Sequence, residues 1–134
     1  MVEQGSGVIL ALDRGSAHRT PRMMGGTGPA DAAIDTLLRS LAAEIGPRGV
    51  RVVGIWTVGL PEAFTKEKLA AVDSTLALDD AAYQGLLDSL DRMRMTRRSP
   101  RLTEVATTAA FLASEKAGTI TGTFVNVTSG TFPS

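Results

Sequence analysis

The sequence predicts an α/β fold: a parallel sheet between helical layers. Three observations carry that reading. A short continuous apolar run lies near the N-terminus, a long amphipathic helical pattern follows it, and a β-branched run comes directly after the helix stop. Strand, helix, strand at this spacing is a βαβ unit, which makes its two strands parallel and its crossover right-handed.

Val8-Ile9-Leu10-Ala11-Leu12, between Gly7 and Gly15, suits a strand covered on both faces. Asp13 to Gly28 is polar and glycine-rich and reads as a loop. Pro29 then opens a helix over Ala30–Ile45, about 24 Å long, with Ile34, Leu37, Leu38, Leu41, Ala42 and Ile45 on one face. Gly46-Pro47 stops it. Val50 to Trp56 reads as the second strand and Thr57 to Thr65 as a loop.

A weak amphipathic stretch follows on Leu69, Val72 and Leu76. A stronger one on Tyr83, Leu86, Leu87, Leu90 and Met93 takes Asp79 or Asp80 as N-cap. The basic linker Arg92 to Arg101 ends near Pro100. Thr103 is the expected cap of a last helix through Val105, Ala109, Leu112 and Ala113, stopped by Gly118. Thr123 to Val127 is the third strand. No internal repeat or low-complexity segment interrupts the order. Three strands are few for such a sheet, and the first, which reads as buried on both faces, stands at an apparent edge.

Composition narrows the function. The chain has 134 residues, the size of one domain or part of one. Its 14 Lys+Arg balance 14 Asp+Glu, so it lacks the field of a general nucleic-acid or polybasic membrane binder. Without cysteine it has no disulfide, thiolate metal site or cysteine nucleophile, and its one histidine, His18, cannot build a multi-histidine metal site. No apolar run approaches a membrane span and no secretory signal is visible, so the expected location is cytoplasmic.

Several clusters invite chemistry. Gly25-Gly26-Thr27-Gly28 precedes a helix N-terminus, where free amides favour an anion, but the string is neither a dinucleotide fingerprint nor a P-loop. A helix lead-in is the favoured reading and anion binding the alternative. Asp13, Ser16 and His18 suggest a triad but crowd one loop, and a solvated loop histidine is the simpler expectation. Arg92, Arg94, Arg97, Arg98 and Arg101 read as a solvated basic turn offset by acidic neighbours, with an anion clamp as the alternative. Asp79-Asp80 and the pair Asp88 and Asp91 are explained by capping and i,i+4 pairing. Trp56 ends a strand where ligands gather in open α/β sheets, although core packing explains it as well.

Taken together, the order of elements and several strings resemble the C-terminal half of a short-chain dehydrogenase/reductase. Gly7 to Leu12 is similar to that family's fifth strand. Ala32 to Glu44 resembles the long helix after its catalytic Tyr-x-x-x-Lys. Gly46-Pro47-Arg48-Gly49-Val50-Arg51-Val52 resembles the approach to its sixth strand. Thr103-Glu104-Val105-Ala106, Phe111-Leu112-Ala113-Ser114, Ile120-Thr121-Gly122 and Val125-Asn126-Val127 resemble its closing helix and seventh strand. The resemblance implies a three-layer, Rossmann-like, doubly wound sheet of which these are the last three strands, and NAD- or NADP-dependent hydride transfer between alcohol and carbonyl. It makes Met1 an expected internal methionine, since Met1 to Gly5 reads like the end of a preceding helix.

By the same resemblance the tyrosine position falls on Thr27 and the lysine position on Asp31. The serine position falls near Arg14, with Ser16 one slip away. Val58-Gly59 stands where the family's Pro-Gly touches the nicotinamide end. A threonine hydroxyl is far too weak an acid for the tyrosine's role, and an aspartate carries the wrong charge for the lysine's. The cofactor fingerprint, T-G-x-x-x-G-x-G, and the N-N-A-G stretch are not in this chain. Two expectations follow: an oxidoreductase half, impaired on its own, that needs the missing half; or a non-catalytic module that forms homo-oligomers through helix 30–45. Unusual chemistry on the Gly25–Gly28 loop with Ser16 or Arg14 is a third.

Overall fold

A computed structural model describes residues 1–18 and 25–133. Residues 19–24 of the predicted loop lie outside the described residues. The strands are β1 (Gly7–Asp13), β2 (Val50–Trp56) and β3 (Thr123–Asn126). The helices are α1 (Thr27–Ile45), α2 (Lys66–Val72), α3 (Asp80–Arg92) and α4 (Leu102–Ala113), with short 3-10 turns between several of them. The described strands form one parallel sheet in the order β1-β2-β3. Gly7 to Asp13 runs in register with Val50 to Trp56, and Val53 to Trp56 with Thr123 to Asn126.

The central strand divides the core in two, because successive side chains point to opposite faces. On one face Val52 and Trp56 pack with Leu38 and Ala42 of α1, with Phe124 and with Phe132. On the other, Val53 and Ile55 pack with Val105 and Leu112 of α4 and with Ala117. Ile9 and Ala11 of β1 join the first cluster and Leu10 the second, so helices cover both faces of the sheet. That is the three-layer arrangement expected, and it is a Rossmann-type sheet.

Several local expectations are corrected. Helix α1 starts at Thr27, not Ala30, and Gly26 supplies its first carbonyl, accepting from the Ala30 N–H at 3.0 Å. Pro29 is therefore third in the helix, still in the first turn, where a missing N–H leaves no bond unmade. The buried stripe of α1 is Asp31, Asp35, Leu38 and Ala42, whereas Leu37 is 63% exposed and Ile34 also faces outward. The weak stretch on Leu69, Val72 and Leu76 is broken, and Val72 is 85% exposed. Asp73, in an extended conformation, accepts from the Thr75 N–H at 2.9 Å and starts a separate turn.

Asp79 does cap α3, accepting from the Ala82 N–H at 2.7 Å. Helix α4 is capped at Arg101 rather than Thr103, because Glu104 reaches back to the Arg101 N–H at 2.8 Å. The two nitrogens of Arg98 hold that same carboxylate at 2.8 Å each. These bonds, led by the one to Arg98, pull the Glu104 pKa down to about 2. Gly118 ends a 3-10 turn after α4 rather than α4 itself, and β3 stops at Asn126, one residue early.

Candidate active site

At the carboxyl ends of β1 and β2 the chain makes two abrupt turns. The first is at Gly15, whose φ of +65° suits glycine and where a Cβ would also press on the Trp56 and Phe132 rings. The turn brings Ser16 back onto the first helical turns of α1. The Ser16 N–H donates to Asp31 Oδ2 at 2.9 Å, and the Ser16 hydroxyl donates to the same oxygen. Asp13, at the end of β1, accepts from the Gly15 N–H at 3.3 Å.

Asp13 and Asp31 are both buried and their carboxyls interact. Burial, aided by the Asp31 charge, pushes the Asp13 pKa above the ordinary carboxylate value. Burial acts on Asp31 in the same direction, but the two Ser16 hydrogen bonds, with Asp13 and Arg14, outweigh it and hold Asp31 below that value. The pair therefore takes up its first proton on Asp13 while Asp31 stays ionised.

One helical turn on, Asp35 is 4% exposed and closes a second small network. It accepts from Trp56 Nε1 at 3.2 Å and faces His18 Nε2 at 3.3 Å. The His18 ring lies 4.2 Å from Trp56 and 5.7 Å from Phe132, centroid to centroid. His18 is an exposed loop residue, as expected, although its ring also rests on the aromatic cluster. The suspected triad is not formed either, since Ser16 bonds to Asp31 and His18 to Asp35.

Two clefts open here. A cleft of about 370 Å³ is lined by Leu12, Asp13, Arg14, Asp31 and Thr57. A cavity of about 540 Å³ beside it, within the usual range for small-molecule sites, has Arg14, Ser16, Thr57, Val58 and Gly59 in its lining. Apolar side chains that include Leu60, Phe64, Leu90 and Met93 also line it. Gly59 has φ +65°, and a Cβ there would collide with the Arg94 guanidinium. The hydroxyl oxygen of Thr57 is wholly buried and has no hydrogen-bond partner among the described residues.

Of the residues singled out from sequence, Arg14, Ser16, Val58 and Gly59 meet in the larger cavity. Asp31 lines the smaller cleft, and Thr27, at the start of α1, lines neither. Trp56 is core, 4% exposed. The basic turn is corrected at one member. Arg98 and Arg101 pair with Glu104 and Glu62, as expected, but Arg94 is only 2% exposed and forms part of the cavity wall. Asp91 accepts from the Ser99 N–H and hydroxyl, and Asp88 from Gln84, rather than pairing along the helix with arginine.

Asp35, Thr57 and the burial of Arg94 escaped the sequence reading. A signal existed for Asp35: Asp31 and Asp35 share the i, i+4, i+7, i+11 stripe with Leu38 and Ala42. For Arg94 there was none, because its partners lie more than thirty positions away along the chain.

Known proteins with the same pattern can now be set beside this geometry. The family model described as Enoyl-(Acyl carrier protein) reductase matches residues 1–131. The enoyl-[acyl-carrier-protein] reductase [NADH] FabI of Synechocystis sp. is 37% identical over 106 residues, 77% of this chain and 35% of that protein. The protein of the same name from Nostoc sp. is 30% identical over 133 residues, 97% of this chain and 45% of the relative. Among solved structures, the Bacillus cereus enoyl-acyl carrier protein reductase with NADP+ and an indole naphthyridinone superposes with a TM-score of 0.72 at 26% identity. That match covers 97% of this chain and 45% of the other. The chain thus spans less than half the length of the curated relatives it matches.

Proposed function

The chain belongs to the short-chain dehydrogenase/reductase family, and from that premise we propose that its 134 residues form the substrate-side half of a nicotinamide-dependent oxidoreductase. The observation that supports this reading best is the cavity at the carboxyl ends of the strands, with the Val58–Gly59 turn in its lining. Ligands of open α/β sheets sit at that end. The reaction class is hydride transfer to or from a carbonyl, an alcohol or, as the names of the relatives suggest, an enoyl group.

The residues present fit the nicotinamide end of NAD or NADP. The orphaned Thr57 hydroxyl, in the lining beside Val58 and Gly59, has a hydrogen bond to give or take. The dinucleotide, when bound, supplies or accepts the hydride. The chain's own residues place the substrate against the apolar lining of the cavity, keep water from it, and orient its polar group from Ser16 and Arg14.

Among the described residues no group in either cleft replaces the family's acid/base pair. Asp31 is spent on Ser16 and held ionised, so it neither promotes a phenolate nor donates a proton at neutral pH. Thr27 lies outside both clefts. We therefore read these residues as catalytically impaired by themselves, with residues beyond them needed for the dinucleotide's adenosine end. A calorimetric titration of the 134-residue chain with NADH and NADPH should give no saturable heat, and the double variant Thr27→Tyr, Asp31→Lys should not oxidise NADPH. Saturable binding to the chain, or turnover by the double variant, would overturn this account.

A second reading, a homo-oligomerisation module, has one observation in its favour. Helix α1 turns Ile34 and Leu37 outward, away from the sheet it covers. Burying that strip against a second copy through a two-fold axis would satisfy it. Leu37→Asp should convert an oligomer to monomer in sedimentation equilibrium while leaving far-UV circular dichroism unchanged; a wild-type chain that is already monomeric at high micromolar concentration would eliminate the idea. Among the described residues no helix is long and apolar enough to cross a membrane. Cytoplasm is the location we propose, and neither nucleic acid nor membrane is a proposed partner.

A further inference from the structure

Arg94 is the one buried charge in the described residues that neither the acid/base argument nor the packing of the sheet uses. It enters the larger cavity from the segment after α3. Its Nη2 donates to the carbonyls of Val58 at 3.1 Å and Gly59 at 3.3 Å, and its Nη1 donates to the Thr131 hydroxyl. All three acceptors are neutral. The Nε–H is wholly buried and has no partner among the described residues.

The charge has no direct counterion either. Arg94 makes no ion pair among the described residues. Asp91, the acid that acts on it through space, has its Oδ1 engaged by the Ser99 N–H at 2.8 Å and the Ser99 hydroxyl at 2.5 Å. Among the described residues no aspartate or glutamate lines the cavity, and Arg14 adds a second cation to its lining. A guanidinium taken out of water without a carboxylate is unfavourable unless something anionic completes it. Burial accordingly drives its pKa down from the usual arginine value.

From this arrangement we propose that the cavity takes an organic carboxylate with an apolar body, the carboxylate on Arg94 and the body against Leu60, Phe64, Leu90 and Met93. With Nη2 engaged by two carbonyls, the carboxylate takes one charge-assisted bond, from the Nε–H, which a small shift of the side chain would turn toward it. The apolar wall rejects a small, fully hydrated anion and accepts a chain or ring. This names a substrate class for the hydride-transfer reading and rests on that reading only in placing substrate here.

The test compares two probes of equal length, octanoate and 1-octanol, at submicellar concentrations with the purified protein. Octanoate should bind about tenfold tighter, the gain expected of one charge-assisted contact. Arg94→Met, of similar length and without charge, should remove that preference while octanol binding stays. Equal affinity for the two probes in the wild-type protein overturns the proposal whether or not any variant folds. So does a preference that survives in Arg94→Met. A carboxylate preference together with saturable NADH or NADPH binding by the chain would leave this inference standing and defeat the account of an impaired half; equal probe affinities with no dinucleotide binding would defeat this inference alone.

Discussion

Replacing Trp56 by alanine should destabilise the fold by about 3–5 kcal/mol, the range for truncating a large buried aromatic. Its ring stacks on Phe124 with centroids 5.0 Å apart and meets Phe132 edge-on at 5.8 Å. The substitution also takes the Nε1 donor from Asp35, leaving that buried carboxylate with fewer partners. Domains of this size are stable by only about 5–15 kcal/mol, so much of the total is at stake. Urea unfolding followed by circular dichroism is the right measurement, because Trp56 is the sole tryptophan and the variant loses its own fluorescence signal. Trp56→Phe should keep the stack and lose markedly less. A loss below about 1 kcal/mol for the alanine variant, within the range of ordinary surface substitutions, would mean the aromatic cluster is loosely packed.

Asp31→Asn and Asp13→Asn should move stability in opposite directions at pH 7. Asp31 accepts two hydrogen bonds from Ser16 as an ion, and losing that charge should remove about 1.5–3 kcal/mol. Its folded pKa lies below the unfolded one, so its contribution is present above the ordinary aspartate value of 3.8 and fades as pH falls through the lower folded value. Asp13 behaves the other way. With its folded pKa raised, its favourable contribution is present below 3.8 and is lost as pH rises through the folded value. At pH 7 its ionised form is a burden that asparagine relieves, while at pH 3 the advantage of the variant should vanish. Denaturation midpoints across pH 3 to 8 would check both signs, and two variants that shift in the same direction at pH 7 would refute the shared-proton description.

Most of the scaffold could be read from the chain because it rests on local periodicity. The β1-α1-β2 unit follows from an apolar run, a helical stripe and a β-branched run whose spacing has few other solutions. The stripe on α1 was misplaced toward Ile34 and Leu37 for a physical reason. Hydrophobic periodicity assumes that carboxylates face water, yet Asp31 and Asp35 point inward because Ser16, Trp56 and His18 offer them hydrogen bonds. Those partners come from β1's loop and the end of β2, so their offer is visible only after folding. Arg94 fits the same pattern more sharply. Five arginines in one linker are indistinguishable by composition, and its oxygens come from Val58, Gly59 and Thr131. The resemblance placed Arg14, Ser16, Val58 and Gly59 around one region, and they do meet there, but the chemistry available to them depends on neighbours that no spacing rule brings together.

Strand β1 pairs on one side only among the described residues, and its row of amides and carbonyls on the other side is a template for another strand. Gly7-Val8-Ile9-Leu10-Ala11-Leu12 has no charge and no proline, and its residues are only partly covered save for the more exposed Leu12. Segments of this kind self-associate in register when copies are close enough. Concentration therefore decides the fate of the 134-residue chain as much as its internal stability does. For these 134 residues by themselves, the edge is hydrated when dilute; crowded, as during overexpression, copies can add strand to strand toward cross-β aggregates. Asp13 and Arg14, immediately after the run, are its only gatekeepers on that side.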